Sequence, residues 1–127
     1  MNKKELLVIK DYTRANNGLT LNHNGKIVNL SSGFMVSMHQ HEKIYSSLDE
    51  LDLETINAYL LQATKLCKSE RTYKAFVGLW VDAEDNGKTY LDISLLIPNK
   101  QLALSLARTE QQKAIFDNAN KVSIYLE

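Results

Sequence analysis

The sequence predicts an α+β fold, a mostly antiparallel sheet built from hairpins and carrying two amphipathic helices. Three observations predict it. Asparagine-glycine pairs sit between short apolar runs, and residues 74 to 97 divide into two strands that share a continuous aliphatic face. Leu53, Ile56, Leu60, Ala63 and Cys67 recur at helical spacing.

Taken in order, the apolar run Leu6-Leu7-Val8-Ile9 suits either a strand or a helix and stops at Asn16-Asn17-Gly18. Asn24-Gly25 then reads as a two-residue hairpin loop that pairs Leu21 with Val28 and Leu19 with Leu30. After Gly33, the alternation of Phe34, Val36 and Met38 with Met35, Ser37 and His39 predicts a third strand. Ser47 and Glu50 have capping-box spacing, and the acids Asp49, Glu50, Asp52 and Glu54 crowd the start of the first predicted helix, where its dipole favours them. In the central pair of strands, a three-residue loop Asp85-Asn86-Gly87 pairs Val81 with Leu91, Leu79 with Ile93 and Val77 with Leu95. That register leaves a second face carrying Phe76, Gly78, Trp80, Asp82, Tyr90, Asp92 and Ser94, half aromatic and half carboxylate. Asn99 caps a second helix with Leu102, Ala103, Leu106 and Ala107 on one side, and residues 114 to 126 form a closing hairpin around Asn118-Ala119-Asn120-Lys121. No linker or repeat interrupts the chain, so residues 1–127 read as one domain.

Composition narrows the function classes. The chain has 127 residues, enough to bury roughly two-thirds of its unfolded surface without staples. Lys+Arg and Asp+Glu balance at 15 each, so no net field draws the protein to phosphate backbones or anionic membranes, and direct nucleic-acid binding is not expected. Cys67 is the single cysteine, which excludes an internal disulfide and fits a reducing, cytoplasmic setting. The N-terminal apolar run is too short for a signal-peptide core, and no stretch is long enough to span a membrane.

Motifs for chemistry are sparse. Asp82-Ala83-Glu84-Asp85-Asn86-Gly87 opens like a calcium loop, but its twelfth position is Ile93 where a bidentate glutamate is required. His39 and His41 would share a strand face as two metal ligands can, yet Glu42, His23 or the distant Cys67 would have to complete the set, so no metal and no cofactor are expected. There is no Gly-x-Ser-x-Gly elbow, no phosphate-binding glycine loop and no His-Glu-x-x-His. Asp82 and Asp92 would pair diagonally beside Trp80, and two close carboxylates can raise one another's pKa for acid–base work, although such pairs usually lie on solvated faces. The residues that point to binding are Trp80 and Tyr90 with Asp82 and Asp92, extended by Glu84 and Asp85: aromatic anchors ringed by carboxylates that suit an arginine-rich or lysine-rich groove. The competing expectation is that the second helix, through Leu102 and Leu106, covers this face and makes Trp80 a core residue. A secondary acidic patch, Asp49, Glu50, Asp52 and Glu54, has the sharper reading of a phosphate mimic.

Gly33-Phe34-Met35-Val36-Ser37, Gly78-Leu79-Trp80-Val81-Asp82, Tyr90-Leu91-Asp92-Ile93-Ser94 and Gln112-Lys113-Ala114-Ile115-Phe116-Asp117 together resemble small accessory proteins of phages, prophages and conjugative elements of Gram-positive bacteria. The likeness runs from about Gly18 to the C-terminus. It implies a cytoplasmic antagonist of host nuclease defence, of the anti-CRISPR or antirestriction type, whose partner is a host defence protein such as Cas9 or another nuclease complex. Such inhibitors share no common site motif, so the resemblance assigns no residue. The sequence therefore points to a non-enzymatic binding protein, monomeric or homodimeric, that occupies a protein surface. The alternatives are a metal-dependent or carboxylate enzyme of mobile-element metabolism and a self-associating regulatory module.

Overall fold

Asn2 and Glu5 satisfy each other's backbone donors at the start of helix α1 (Lys3–Asn16): the Asn2 side chain accepts from Glu5 N–H at 2.9 Å and the Glu5 carboxylate from Asn2 N–H at 3.0 Å. This helix is a third one, beyond the two expected, and it settles the ambiguous N-terminal run. The computed structural model describes residues 1–69 and 73–127. Within α1, Leu6, Ile9 and Thr13 face inward, and the buried Thr13 hydroxyl donates to the Ile9 carbonyl at 2.7 Å.

Strands β1 (Gly18–Leu21) and β2 (Ile27–Val28) follow, paired Thr20 to Val28 and Leu21 to Ile27. The expected pairing of Leu21 with Val28 is off by one, which moves Val28 to the opposite face. The cause is Asn22, whose side-chain oxygen accepts from both Asn24 and Lys26 N–H at 3.0 Å and holds a wider turn. Next, β3 (Phe34–Ser37) and β4 (Lys43–Tyr45) lie along the same edge of a later strand, interrupted by a 3-10 turn over His39–His41. The two histidines therefore occupy a turn, and the shared strand face expected of them does not form.

Helix α2 (Leu53–Ser69) begins later than the Ser47 capping box predicts. Residues Leu48–Glu50 form a 3-10 turn without a side-chain cap, and Asp52 is the working N-cap. Its carboxylate takes the Thr55 N–H at 3.1 Å and the Thr55 hydroxyl at 2.7 Å. Ile56, Leu60 and Ala63 then bury as the helical stripe requires.

The long hairpin of β5 (Lys74–Asp82) and β6 (Lys88–Ile97) pairs Val77 with Ile93, Leu79 with Leu91 and Trp80 with Tyr90. The expected register is two residues out, because a 3-10 turn over Ala83–Asp85 with left-handed Asn86 and Gly87 widens the loop. A slip of two preserves face, so the aliphatic residues still point one way. Helix α3 (Lys100–Thr109) is capped by Asn99, whose side chain accepts from Leu102 N–H at 3.1 Å. It packs through Ala103 and Ala107 while Leu102 stays exposed, contrary to the expected packing side. Strands β7 (Ala114–Asp117) and β8 (Val122–Tyr125) close the chain in the predicted hairpin.

The antiparallel sheet runs β2-β1-β5-β6-β3-β7-β8, with β4 beside β6. One apolar core takes Leu6 and Ile9 from α1, Ile56 and Leu60 from α2, Ala103 and Ala107 from α3, and Val77, Leu79, Leu91, Ile93 and Leu95 from the central hairpin. All three helices thus cover one face of the sheet. Burying each large aliphatic there stabilises the fold by about 1.5–3 kcal/mol. Among the described residues no helix packs across the other face; only the C-terminal end of α1, through Tyr12 and Asn16, reaches its edge.

Candidate functional site: the helix-free face of the sheet

Because side chains alternate along a strand, the residues excluded from the core form the opposite face in rows. One row runs Ile44, Tyr90, Trp80, Gly18 across β4, β6, β5 and β1. The next runs Asp92, Gly78, Thr20, Val28, and a third runs Ser37, Ser94, Phe76. Phe116 extends the face onto β7 beside Met35, and Tyr125 lies opposite Ala114.

A groove of about 700 Å³ follows this face. Its walls come from the two ends of the sheet. On one side are Asn29 and Leu30, in the short connection that carries the chain from β2 past β1, β5 and β6 to β3. On the other are Phe116, Asn118 and Lys121 of the β7–β8 hairpin. The walls are tied together: the Asn118 side chain donates to the Ser32 carbonyl at 3.1 Å, Asn118 N–H to the Gly33 carbonyl at 3.1 Å, and the Lys121 ammonium to the Leu30 carbonyl.

The floor is polar at one point. Ser37 donates to Asp92 Oδ2 at 3.0 Å, Ser94 to Asp92 Oδ1 at 3.4 Å, and the two serine oxygens are 3.2 Å apart. Gly78 lies directly across from Asp92, and a Cβ there would collide with the carboxylate Oδ1. The glycine is therefore what lets the carboxylate lie flat across the strand pair. Surrounding protein strips water from this carboxyl and pushes its pKa up to about 6, a rise opposed by the Ser37 hydrogen bond, reinforced by the Glu42 charge and opposed again by Ser94. Asp92 takes part in none of the ion pairs among the described residues, which join Arg14 to Asp11 and Asp49 and Lys88 to Asp85.

Trp80 stands above this floor, 52% exposed, with its ring centroid 5.1 Å from that of Tyr90 and the planes tilted by 30°. No helix among the described residues covers it, since α3 lies on the opposite face. Of the residues singled out from sequence, Trp80, Tyr90 and Asp92 come together here. Asp82 does not join them: it pairs with Lys88, which sets it about 13 Å along the strands from Asp92, so the diagonal carboxylate pair does not form. Glu84 and Asp85 lie in the exposed hairpin turn, Asp85 3.9 Å from the Lys88 ammonium. The secondary acidic patch is taken up locally. Asp49 pairs with Arg14 at 2.5 Å, Glu50 accepts from the Ser46 hydroxyl, Asp52 caps α2, and Glu54 stands exposed in its first turn. Cys67 is engaged by the Ala75 N–H at 3.3 Å.

Sequence reasoning missed Ser37 and Phe116 as site residues. Strand alternation placed Ser37 with Met35, but only the pairing of β3 with β6 brings its hydroxyl to Asp92. Among the described residues no cluster of histidine, cysteine and acidic side chains is arranged to hold a metal, and no helix is long and apolar enough to cross a membrane. The chain matches no protein-family model, no curated protein and no solved structure.

Proposed function

We propose that this chain is a non-enzymatic binding protein of a mobile genetic element, acting in the cytoplasm of a bacterial host, that inhibits a nuclease-based defence system by docking its helix-free sheet face on a protein surface. The observation that carries the reading is the exposure of Trp80 (52%), Phe116 (38%) and Tyr125 (73%) on a face that no helix covers. Exposed aromatics on one surface mark an interaction site, because each supplies a large contact area at low entropic cost. The balanced charge supports a protein partner over nucleic acid.

The test adds purified protein to an RNA-guided nuclease loaded with guide and target DNA, and to a panel of restriction endonucleases. Inhibited cleavage is expected with at least one of them. Trp80→Ala and Phe116→Ala should relieve it while melting close to the parent. Full cleavage throughout, with no co-elution of the chain and any nuclease on gel filtration, overturns the reading. One observation favours a second reading: a carboxyl with a raised pKa in a cleft suits a carboxylate enzyme, for which Asp92 would be the acid or base.

A further inference from the structure

The Ser37–Asp92–Ser94 cluster is a built recess whose carboxylate pairs with no cation among the described residues. The groups that face it are unequal. Glu42 adds a second negative charge from the β4 side. Tyr12 of α1 lines the groove, and Tyr90 neighbours Asp92 on its own strand. Tyr59 of α2 lies on the helix side and does not enter the recess; burial first, then Tyr45, Asp92 and Glu42, hold its hydroxyl above the ordinary range. Among the described residues the one cation in the groove lining is Lys121, and its ammonium is engaged by the Leu30 carbonyl. The recess thus offers an anion, two hydroxyls and, one row away, an exposed indole face.

We propose that this recess binds a guanidinium group, the arginine side chain of the protein that docks on the helix-free face. A carboxylate has about four lone-pair sites, and the serines use one on each oxygen, which leaves a site on both for the planar guanidinium fork. The serine oxygens can accept from its remaining N–H groups. Trp80 supplies a π face for the cation or its aliphatic stem. Lysine has no such fork and fills the site less well. The identity of the occupant rests on the docking reading, whereas the recess itself can be tested alone.

The probe is acetyl-arginine amide, with its neutral isostere acetyl-citrulline amide as control, titrated into the full ¹⁵N-labelled chain. Trp80 is the only tryptophan, so its fluorescence reports the groove directly, alongside the amide shifts of Ser37, Asp92 and Ser94. The arginine probe should shift all of these at about pH 7.5, and citrulline should bind at least about tenfold more weakly. At about pH 5, a carboxyl with a pKa of about 6 is roughly one-tenth ionised, so affinity should fall about tenfold. Asp92→Asn should abolish binding and Ser37→Ala should weaken it, each with an unchanged circular dichroism spectrum. Equal binding of arginine and citrulline, no shift with either, or parent-like binding by Asp92→Asn overturns the proposal. The two readings fail separately. If Trp80→Ala relieves nuclease inhibition while the arginine probe is silent, the docking face stands and the guanidinium site falls. If the probe binds while Trp80→Ala inhibits normally, the recess stands and the docking face falls.

Discussion

Replacing Asp92 with asparagine removes a charge that the fold holds where water is scarce. The Asp92 carboxyl rises from 3.8 to about 6, chiefly because burial disfavours the charged form. At 1.36 kcal/mol per pH unit this corresponds to about 3 kcal/mol, and water entering from the open side of the groove screens it to about 2 kcal/mol. The folded state binds the proton more tightly than the unfolded chain, so the stabilisation is fully present below pH 3.8 and is lost as pH rises through about 6. Asparagine keeps a side-chain oxygen to accept from Ser37, and its new N–H can donate to the Ser94 oxygen in place of the bond that Ser94 now gives. At pH 7, Asp92→Asn should therefore be more stable than the parent by about 2 kcal/mol, a shift of about 1 M in urea midpoint. At about pH 4 the two should converge. Urea titrations followed by far-ultraviolet circular dichroism across this range decide it. Parallel curves for parent and variant, or a variant less stable at pH 7, would refute the reasoning that Asp92 is strained by desolvation.

Other perturbations test the surrounding frame. Gly78→Ala should lower stability by about 1–3 kcal/mol through collision with the Asp92 carboxylate, and pairing it with Asp92→Ser should recover most of the loss in thermal melts. Asp52→Ala should cost about 1 kcal/mol through loss of the α2 cap. The Thr55 hydrogen bonds hold the Asp52 carboxyl below its ordinary 3.8, so its stabilisation is present above that value and disappears as pH falls through the lowered one. The penalty of Asp52→Ala should accordingly vanish in acid denaturation series.

How much of this was legible from sequence depended on how local each determinant is. The closing hairpin is set by the turn from Asn118 to Lys121 and was readable as written. The central hairpin was readable in its faces but not its register, because a shift of two leaves Val77, Leu79, Leu91 and Ile93 pointing inward in either alignment. At β1–β2 the Asn24-Gly25 signal was overridden by the side chain of Asn22, which competes for the same turn donors. The capping box of Asn2 and Glu5 was present in the sequence and would have identified α1 as a helix. Trp80, Tyr90 and Asp92 could be grouped by strand parity alone. Ser37 could not, since its role depends on β3 finding β6 more than fifty residues later, a pairing no local pattern encodes. Nor does any helix state which face of a sheet it will cover.

The tie between the groove's two walls bears on how the chain assembles and opens. The bonds from Asn118 to Ser32 and from Lys121 to Leu30 span 86 and 91 residues, so the connection from β2 to β3 cannot be fastened until nearly the whole chain has folded beneath it. Contacts that close so late and rest on a few polar bonds are also among the first to release in the native state. Hydrogen exchange should find the amides donating across this tie, that of Asn118 among them, opening at far lower cost than those of Val77 or Ile93. A partner would then enter by unfastening a few polar bonds at the rim, while the helical layer behind the sheet stays shut.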